Sequence, residues 1–534
     1  MTKKEITQII DSLTLEELCG QLLCYDVCEK DDPAEVEKII AEIKPGGIFA
    51  DKISKEKLRL FTDMANRHTK LPVIVAGDIE MGPNNIPEYD GVSSPMGWGA
   101  ADSPELIERL GGYTGAIARK FGYHWAYAPV VDVNKNKDNP GINIRAASDS
   151  AKQVVKIMGA YARGLAKNNY VLPCVKHFPG NGMDDRNEHF CTVVNPMSKE
   201  EWDTVYGYIF GEMIKQGAPS VMIGHIALSC YDDAGSEPRP AILSYNLITK
   251  LLKGKLGFSG CVVSDAMSMI GAASLVPLER LAVEFIKAGG DMVLFPEPDD
   301  NKRLINAVKS GELPLERIKD AVFRIIGMKD RARLFERDFT KDIQIDTSAF
   351  TALADKIGER SIKIVRDDNH LFPVALSKNS KVLFVNMVRP HFHKLPTGRE
   401  FDVLRKEFEK RGHSVAVLTN PGHKEVKAVM KEYDLLLVNC KMSSVDYHGG
   451  SLRVGWDNIM TFWRAYILQH KKMVFVSYGD PYKLYEFPYL KEYINAFSAS
   501  ECSQRGVVKV VLGEAAHTAK NPVALQGFFK REVE

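Results

Sequence analysis

The run Lys176-His177-Phe178-Pro179-Gly180-Asn181-Gly182-Met183-Asp184-Asp185-Arg186-Asn187-Glu188-His189 carries an unusual density of reactive side chains. It follows the apolar segment Val171–Val175 and continues as a loop rich in glycine, proline and charge. Long polar loops of this kind contribute little to packing and commonly carry function. Lysine offers three donors and histidine one or two, which suits a hydroxyl-rich or anionic ligand. His189, with an ordinary imidazole pKa of about 6.5, can give and take a proton near neutrality. A second candidate is Asp265, in Val263-Ser264-Asp265-Ala266-Met267-Ser268-Met269. A carboxylate fixed at a strand end can act as a nucleophile or stabilise a cationic transition state. Hydrogen bonds from Ser264 and its neighbours would keep it ionised. Its plainer reading is a helix N-cap ahead of Ala266–Met269.

These groups need a scaffold that points them the same way. Short apolar runs at Gly47–Phe49, Pro72–Gly77, Trp125–Val131, Val171–Val175, Ser220–Ile223, Gly260–Val263 and Asp291–Phe295 alternate with amphipathic stretches such as Pro104–Lys120, Ala151–Lys167, Glu200–Gln216 and Leu278–Ala288. Seven or eight strand-helix units predict an α/β domain with a closed (β/α)8 barrel, or a close variant of it. A doubly wound open sheet is the alternative, but no G-x-G-x-x-G follows the first strand. The runs end on Asp78, Asp132, Lys176-His177, His225 and Asp265, and a parallel barrel opens all such ends on one face. One aspartate after a strand is most often a cap; five termini with Asp, Lys and His are harder to assign to capping alone.

The barrel is expected over residues 1–335, with a charged linker at 336–360. A smaller three-layer α/β sandwich over 361–534 has strands at Lys381–Val388, Ser414–Thr419, Leu435–Asn439, Met473–Tyr478 and Tyr493–Phe497, and an amphipathic helix at Arg399–Arg411. The chain has 534 residues, 70 basic and 69 acidic, for a formal charge of +1. That balance provides no bulk field for nucleic acid or an anionic membrane. No apolar run is long enough to span a bilayer, and no secretory signal is legible. The nine cysteines are scattered, without a C-x-x-C pair, and read as buried thiols in a reducing, cytoplasmic compartment. His391-Phe392-His393 reads as a surface pair, not a metal site. Trp98, Tyr123, Trp125 and Tyr127 read as core before sugar platforms.

Several segments together resemble glycoside hydrolase family 3, in the two-domain form of its β-N-acetylglucosaminidase branch. They are Leu15-Glu16-Glu17-Leu18-Cys19-Gly20-Gln21-Leu22, Pro45-Gly46-Gly47-Ile48, Asp78-Ile79-Glu80-Met81-Gly82, Ala128-Pro129-Val130-Val131-Asp132-Val133, Lys176-His177-Phe178-Pro179-Gly180, Val263–Met269 and Ala499-Ser500-Glu501-Cys502-Ser503-Gln504-Arg505-Gly506. The resemblance spans nearly the whole chain.

It implies a retaining exo-glycosidase that removes a terminal β-linked sugar, N-acetylglucosamine foremost, with no metal and no organic cofactor. Asp265 matches the nucleophile and His189 the general acid/base. Asp78, Asp132, Arg145, Lys176, His177 and His225 match positions around the terminal sugar. The family loop usually reads G-H-G-D-T-x-x-D-S-H, whereas this chain has Asn181, Met183, Asp184, Asn187 and Glu188 at the differing places. The aspartate that orients the histidine is thus Asn187. Either a neighbouring carboxylate (Asp184, Asp185 or Glu188) replaces it, or the acid step is weakened. A glycoside phosphorylase using inorganic phosphate, and a non-catalytic sugar-binding homologue, are the alternatives. The expected partner is a carbohydrate, with no nucleic acid or membrane; a homodimer is compatible.

Overall fold

Eight short strands form one parallel sheet in the computed structural model, which describes residues 1–84, 86–89, 91–232, 239–273, 275–389, 399–442 and 454–534. In chain order the strands and a small accessory pair are β1 (Leu23–Val27), β2 (Gly47–Ala50), β3 (Ile74–Gly77), β4 (Trp125–Ala126), β5 (Leu172–Phe178), β6 (Val193–Val194), β7 (Ser220–Ile223), β8 (Ile226–Ala227), β9 (Cys261–Ser264) and β10 (Val293–Leu294). The large sheet runs β10-β1-β2-β3-β4-β5-β7-β9. A parallel bridge between Val263 and Met292 joins its two ends, with Leu294 N donating to Ser264 Oγ at 2.9 Å. Helices follow the strands, so the barrel expected from the alternation is present. Its first strand, Leu23–Val27, is not among the apolar runs read from the sequence, because it begins inside Leu15–Leu23, whose apolar residues have helical spacing.

Strands covered on both faces read as unbroken apolar runs. Residues of β2, β3, β7 and β9 are all buried. Tyr123, Trp125 and Tyr127 are buried as well. Tyr127 stacks on Phe49 at 5.7 Å and meets Trp125 edge-on at 4.9 Å. These aromatics fill the barrel core. Trp98 is also buried.

The second sheet contains β11 (Lys363–Asp367), β12 (Lys381–Val388), β13 (Ser414–Thr419), β14 (Leu435–Lys441), β15 (Met473–Ser477) and β16 (Glu492–Asn495). Its order is β11-β16-β15-β14-β12-β13. Only β11 runs antiparallel to its neighbour, and β11 is the strand the sequence reading lacked. Strand periodicity sends Leu383, Val385 and Met387 into one apolar cluster and Val382 and Phe384 into the other. Phe401, Leu404 and Phe408, beside or on the helix Asp402–Lys410, cover the second face. A three-layer sandwich results.

The chain forms two compact units. One comprises Met1–Asp90, Glu108–Asp132 and Met158–Asp346; the other comprises Gly91–Ile107, Val133–Ile157 and Thr347–Glu534. The expected cut at 335 thus gives way to an interleaved division. Within the stretch read as linker, Thr347–Ser361 is a helix of the second unit with Phe350, Leu353 and Ile357 buried. His391-Phe392-His393 lies outside the described residues. Among those described, no helix is long and apolar enough to cross a membrane.

One buried cation stands out in the barrel unit. Lys329, on the helix Leu315–Arg331, is fully buried and donates to Gln21 Oε1 at 2.5 Å. Burial pulls its amine down to about 7, only partly opposed by the Cys24 thiol. The unfolded chain keeps that proton to about pH 10.4. Between these values the unfolded state binds more protons, so stability rises with pH. Urea unfolding at pH 7 and pH 9 should show the wild type gaining about 2 kcal/mol on Lys329→Met over that interval. Parallel pH dependence in the two proteins would mean that the amine is hydrated.

Candidate active site

Strand ends of the barrel unit bring the sequence candidates together. Asp265 follows β9, its backbone N donating to Ile223 O of β7 at 2.8 Å. Its own Oδ1 accepts from Ala266 N at 2.8 Å. Burial disfavours charge on this carboxylate, but His177, His225, Lys176 and the Ala266 amide outweigh it and hold the group below the usual aspartate range. The N-cap alternative is not what is seen, since its next helix begins only at Ile270.

Lys176 and His177 sit where the pairing of β5 with β7 changes register between Val175 and Phe178. An irregularity there breaks the alternation of faces, and both side chains end up buried. Each is oriented by carboxylates. Lys176 Nζ lies 2.7 Å from Asp78 Oδ1 and 2.7 Å from Glu80 Oε1. His177 Nδ1 lies 2.7 Å from Asp132 Oδ2, and the same oxygen accepts from His177 N at 3.2 Å. Asp132 is fully buried, and its other oxygen takes the Asn181 amide at 2.6 Å. His225, beyond β7, donates from Nε2 to Ala266 O at 3.0 Å. Burial pushes its ring below the usual imidazole value, against the pull of Asp265 and Glu188, while His189 adds to the lowering. Asp265, Glu188 and His189 therefore all act on one buried ring.

The loop after β5 is tightly anchored. Gly180 has φ 118°, and a Cβ there would come within 2.3 Å of the Tyr206 ring. Asn195 Nδ2 and Trp202 Nε1 donate to the carbonyls of Gly180 and Pro179 at 2.9 and 2.8 Å. Parallel pairing of β6 with β8 ties its far end to the segment after β7. Asp184 accepts from Arg186 and from Val194 N, so it serves the loop itself. Asp185 is exposed.

Asn187 takes over the orienting role. Its Oδ1 accepts from His189 N at 2.9 Å and lies 2.7 Å from His189 Nδ1. A backbone N–H can only donate, so the atom facing it is the amide oxygen. The same oxygen then requires a proton on Nδ1, which makes Nε2 the basic nitrogen of the neutral ring. Tautomer control is thus kept by the amide oxygen; what the amide lacks is a negative charge.

Sequence reasoning missed two carboxylates of this cluster, Glu80 and Asp51, and named Glu188 only as one of three candidates. Glu80 pairs with Lys176, and its signal was the alternation Asp78-Ile79-Glu80. Asp51 directly follows β2; burial raises its carboxyl, with Asp78 and Glu80 adding to the effect. Glu188 is buried and accepts from Asn181 Nδ2 at 2.9 Å. One ligating atom each of His177, Glu188 and Asp265 lie within 4.8 Å of one another, the spacing of a possible metal trio. Arg145 belongs to the second unit, where its Nη1 donates to Gly141 O at 2.8 Å.

The tautomer is directly observable. Nitrogen NMR of the wild type should show neutral His189 protonated at Nδ1, and Asn187→Ala should convert it to a tautomer mixture. An Nε2-protonated ring in the wild type would contradict the hydrogen-bond assignment.

Residues 14–328 match the glycosyl hydrolase family 3 N terminal domain. A Cellulomonas fimi protein named Beta-N-acetylglucosaminidase/beta-glucosidase is 27% identical over 530 residues, covering 95% of this chain and 93% of its own. Among solved structures, beta-glucoside phosphorylase BglX bound to 2FGlc matches with TM-score 0.88 and 27% identity, covering 98% of this chain and 96% of that one. A glycoside hydrolase family 3 beta-N-acetylglucosaminidase from Paenibacillus sp. str. FPU-7 matches with TM-score 0.83 and 25% identity, covering 96% and 99%. With the family domain occupying more than half of its length, this chain belongs to glycosyl hydrolase family 3.

Proposed function

We propose that the protein is a retaining exo-glycoside hydrolase that removes a terminal β-linked sugar, N-acetylglucosamine foremost. The observation that carries this reading is Asp265 at the end of β9, with ligating atoms of His177 and Glu188 within 4.8 Å of it, together with a His189 ring oriented by Asn187. In the first step Asp265 attacks the anomeric carbon, and the bond to the leaving oxygen breaks as protonated His189 delivers its Nε2 proton to that oxygen. In the second step Nε2 takes a proton from water, the water oxygen bonds to the anomeric carbon, and the electron pair returns to Asp265. The tautomer held by Asn187 is the one this second step requires.

Lys176, His177, Asp78 and Asp132 are the sugar-binding groups of this proposal, with Arg145 carried over by resemblance. Lys176 and His225 act electrostatically on Asp265, which favours reading the His177–Glu188–Asp265 trio as a saccharide site over a divalent metal site. The nine unpaired thiols suit a reducing cytoplasm. A second reading, phosphorolysis, is supported by the similarity to the β-glucoside phosphorylase and by the uncharged side chain at 187.

A panel of nitrophenyl glycosides (N-acetylglucosaminide, glucoside, xyloside, galactoside), assayed with and without phosphate, tests both readings. The hydrolytic reading expects the N-acetylglucosaminide to be turned over without phosphate and with EDTA present. Asp265→Asn should lose about 10³-fold or more in kcat. A 2-fluoro glycoside should leave a covalent adduct on Asp265, an outcome incompatible with a mere sugar binder. Because Asp265 is held below the usual aspartate range, the acid limb of kcat/KM should fall below about pH 4. Asn187→Asp keeps the acceptor for Nδ1–H and adds a charge that favours the imidazolium. It should move the alkaline limb upward and speed cleavage of unactivated glycosides about tenfold. An unmoved alkaline limb would remove His189 from the acid role.

A further inference from the structure

Glu188 has no part in the two steps above, yet it is buried and held by a hydrogen bond. It is 2% exposed. Its Oε2 accepts from Asn181 Nδ2 at 2.9 Å, and the Asn181 backbone is itself fixed to Asp132 at 2.6 Å. Positions 181 and 188 both depart from the usual loop pattern, and the two replacements hydrogen-bond to each other. The pair is therefore a unit and not two unrelated changes. It sets a carboxylate oxygen within 4.8 Å of atoms on both Asp265 and His177.

We propose that Glu188 selects the acceptor: it is a fixed negative charge that disfavours an incoming phosphate anion and leaves water to resolve the glycosyl-enzyme. This rests on the reading of Asp265 as the nucleophile. Once the sugar is esterified to Asp265, that residue's own charge is gone, and Glu188 remains as a carboxylate within 4.8 Å of the ester. Either acceptor uses its oxygen to form a bond to that carbon while the bond to Asp265 breaks and its electron pair returns to the carboxylate. Water gives the free sugar and passes a proton to His189. Phosphate gives a sugar 1-phosphate and brings one or two negative charges against Glu188. At separations of several Å within a protein, such repulsion is worth a tenfold or larger change in rate. Neutral water pays none of it.

The test is a partition measured within single turnovers, so partial loss of folded enzyme cancels. Wild type, Glu188→Gln and Glu188→Ser are given a nitrophenyl glycoside with graded phosphate, and the ratio of sugar 1-phosphate to free sugar is read. A parallel series uses methanol, a neutral acceptor, and reads methyl glycoside against free sugar. The expected result is a phosphate ratio raised at least tenfold in both variants, about 1.4 kcal/mol of discrimination, with the methanol ratio little changed. An unaltered phosphate ratio overturns the proposal. So does a methanol ratio that rises as much as the phosphate one, which would mean Glu188 fills space and carries no selective charge. So does a wild type that already yields mostly sugar 1-phosphate. Trapping with the 2-fluoro glycoside separates the two levels: an adduct on Asp265 with unaltered ratios sinks only the role of Glu188, whereas no adduct sinks the underlying reading as well.

Discussion

Keeping Asp265 ionised at a half-buried strand end is the constraint on which the site depends. A buried carboxylate ordinarily takes up a proton, because desolvation penalises its charge. Here His177, His225 and Lys176 reverse that tendency. Two of those partners need carboxylates of their own, since a cation or donor brought into a barrel mouth must also be held. Asp132 holds His177, and Asp78 and Glu80 hold Lys176. The result is an alternation of charge running from β3 and β4 through β5 to β9. Removing Asp132 leaves His177 buried without its carboxylate, which costs more than the lost contact, whereas Lys176 keeps one partner when either Asp78 or Glu80 is lost. This explains why so many strand ends carry polar groups: each one supports the next.

In the proposed mechanism, the loop between β5 and β6 separates two functions that a histidine-orienting aspartate would combine. An aspartate beside a histidine selects the tautomer and also favours the protonated ring. Asn187 performs the first through an oxygen shared by His189 N and Nδ1, and an amide has no charge with which to perform the second. In a serine protease triad the Asp-to-Asn change costs about 10⁴-fold because the wrong tautomer results. That comparison does not transfer to this site, where the shared backbone donor prevents the amide from turning.

Strand-end chemistry was legible in the sequence because apolar runs buried on both faces stop abruptly at polar residues. Asp78, Asp132, Lys176, His177, His225 and Asp265 were visible for that reason. Strand β1 was missed because Leu15–Leu23 has helical spacing and the strand starts inside that apolar run. β11 was missed because Lys363–Asp367 is only half-buried and charged at both ends. The expected cut at 335 misallocated Gly91–Ile107 and Val133–Ile157, since contacts distant in sequence decide which unit a segment joins. Asp51 was overlooked for lack of any feature beyond a carboxylate after a strand, and Glu80 because the alternation Asp78-Ile79-Glu80 was read only for its first member. No sequence pattern could have told which of Asp184, Asp185 and Glu188 faces the reaction. That depends on Arg186 and Val194 occupying Asp184 and on Asn181 receiving Glu188.

Compared with the usual D-S-H ending of the loop, this chain reads Asn187-Glu188-His189. The carboxylate has been moved by one residue and not deleted. At 187 it would face the Nδ1 side of His189 and help the ring hold a proton for the leaving group. At 188 it lies within 4.8 Å of atoms on His177 and Asp265 instead, on the side proposed for the sugar. Relocating one negative charge thus weakens its support for the acid step while placing it where the acceptor must arrive. A site altered in this way favours aglycones that leave with little protonation and acceptors that carry no charge. These two preferences have one physical origin, so substitutions at 187 and 188 should affect different steps of the same cycle: cleavage for the first and acceptor capture for the second.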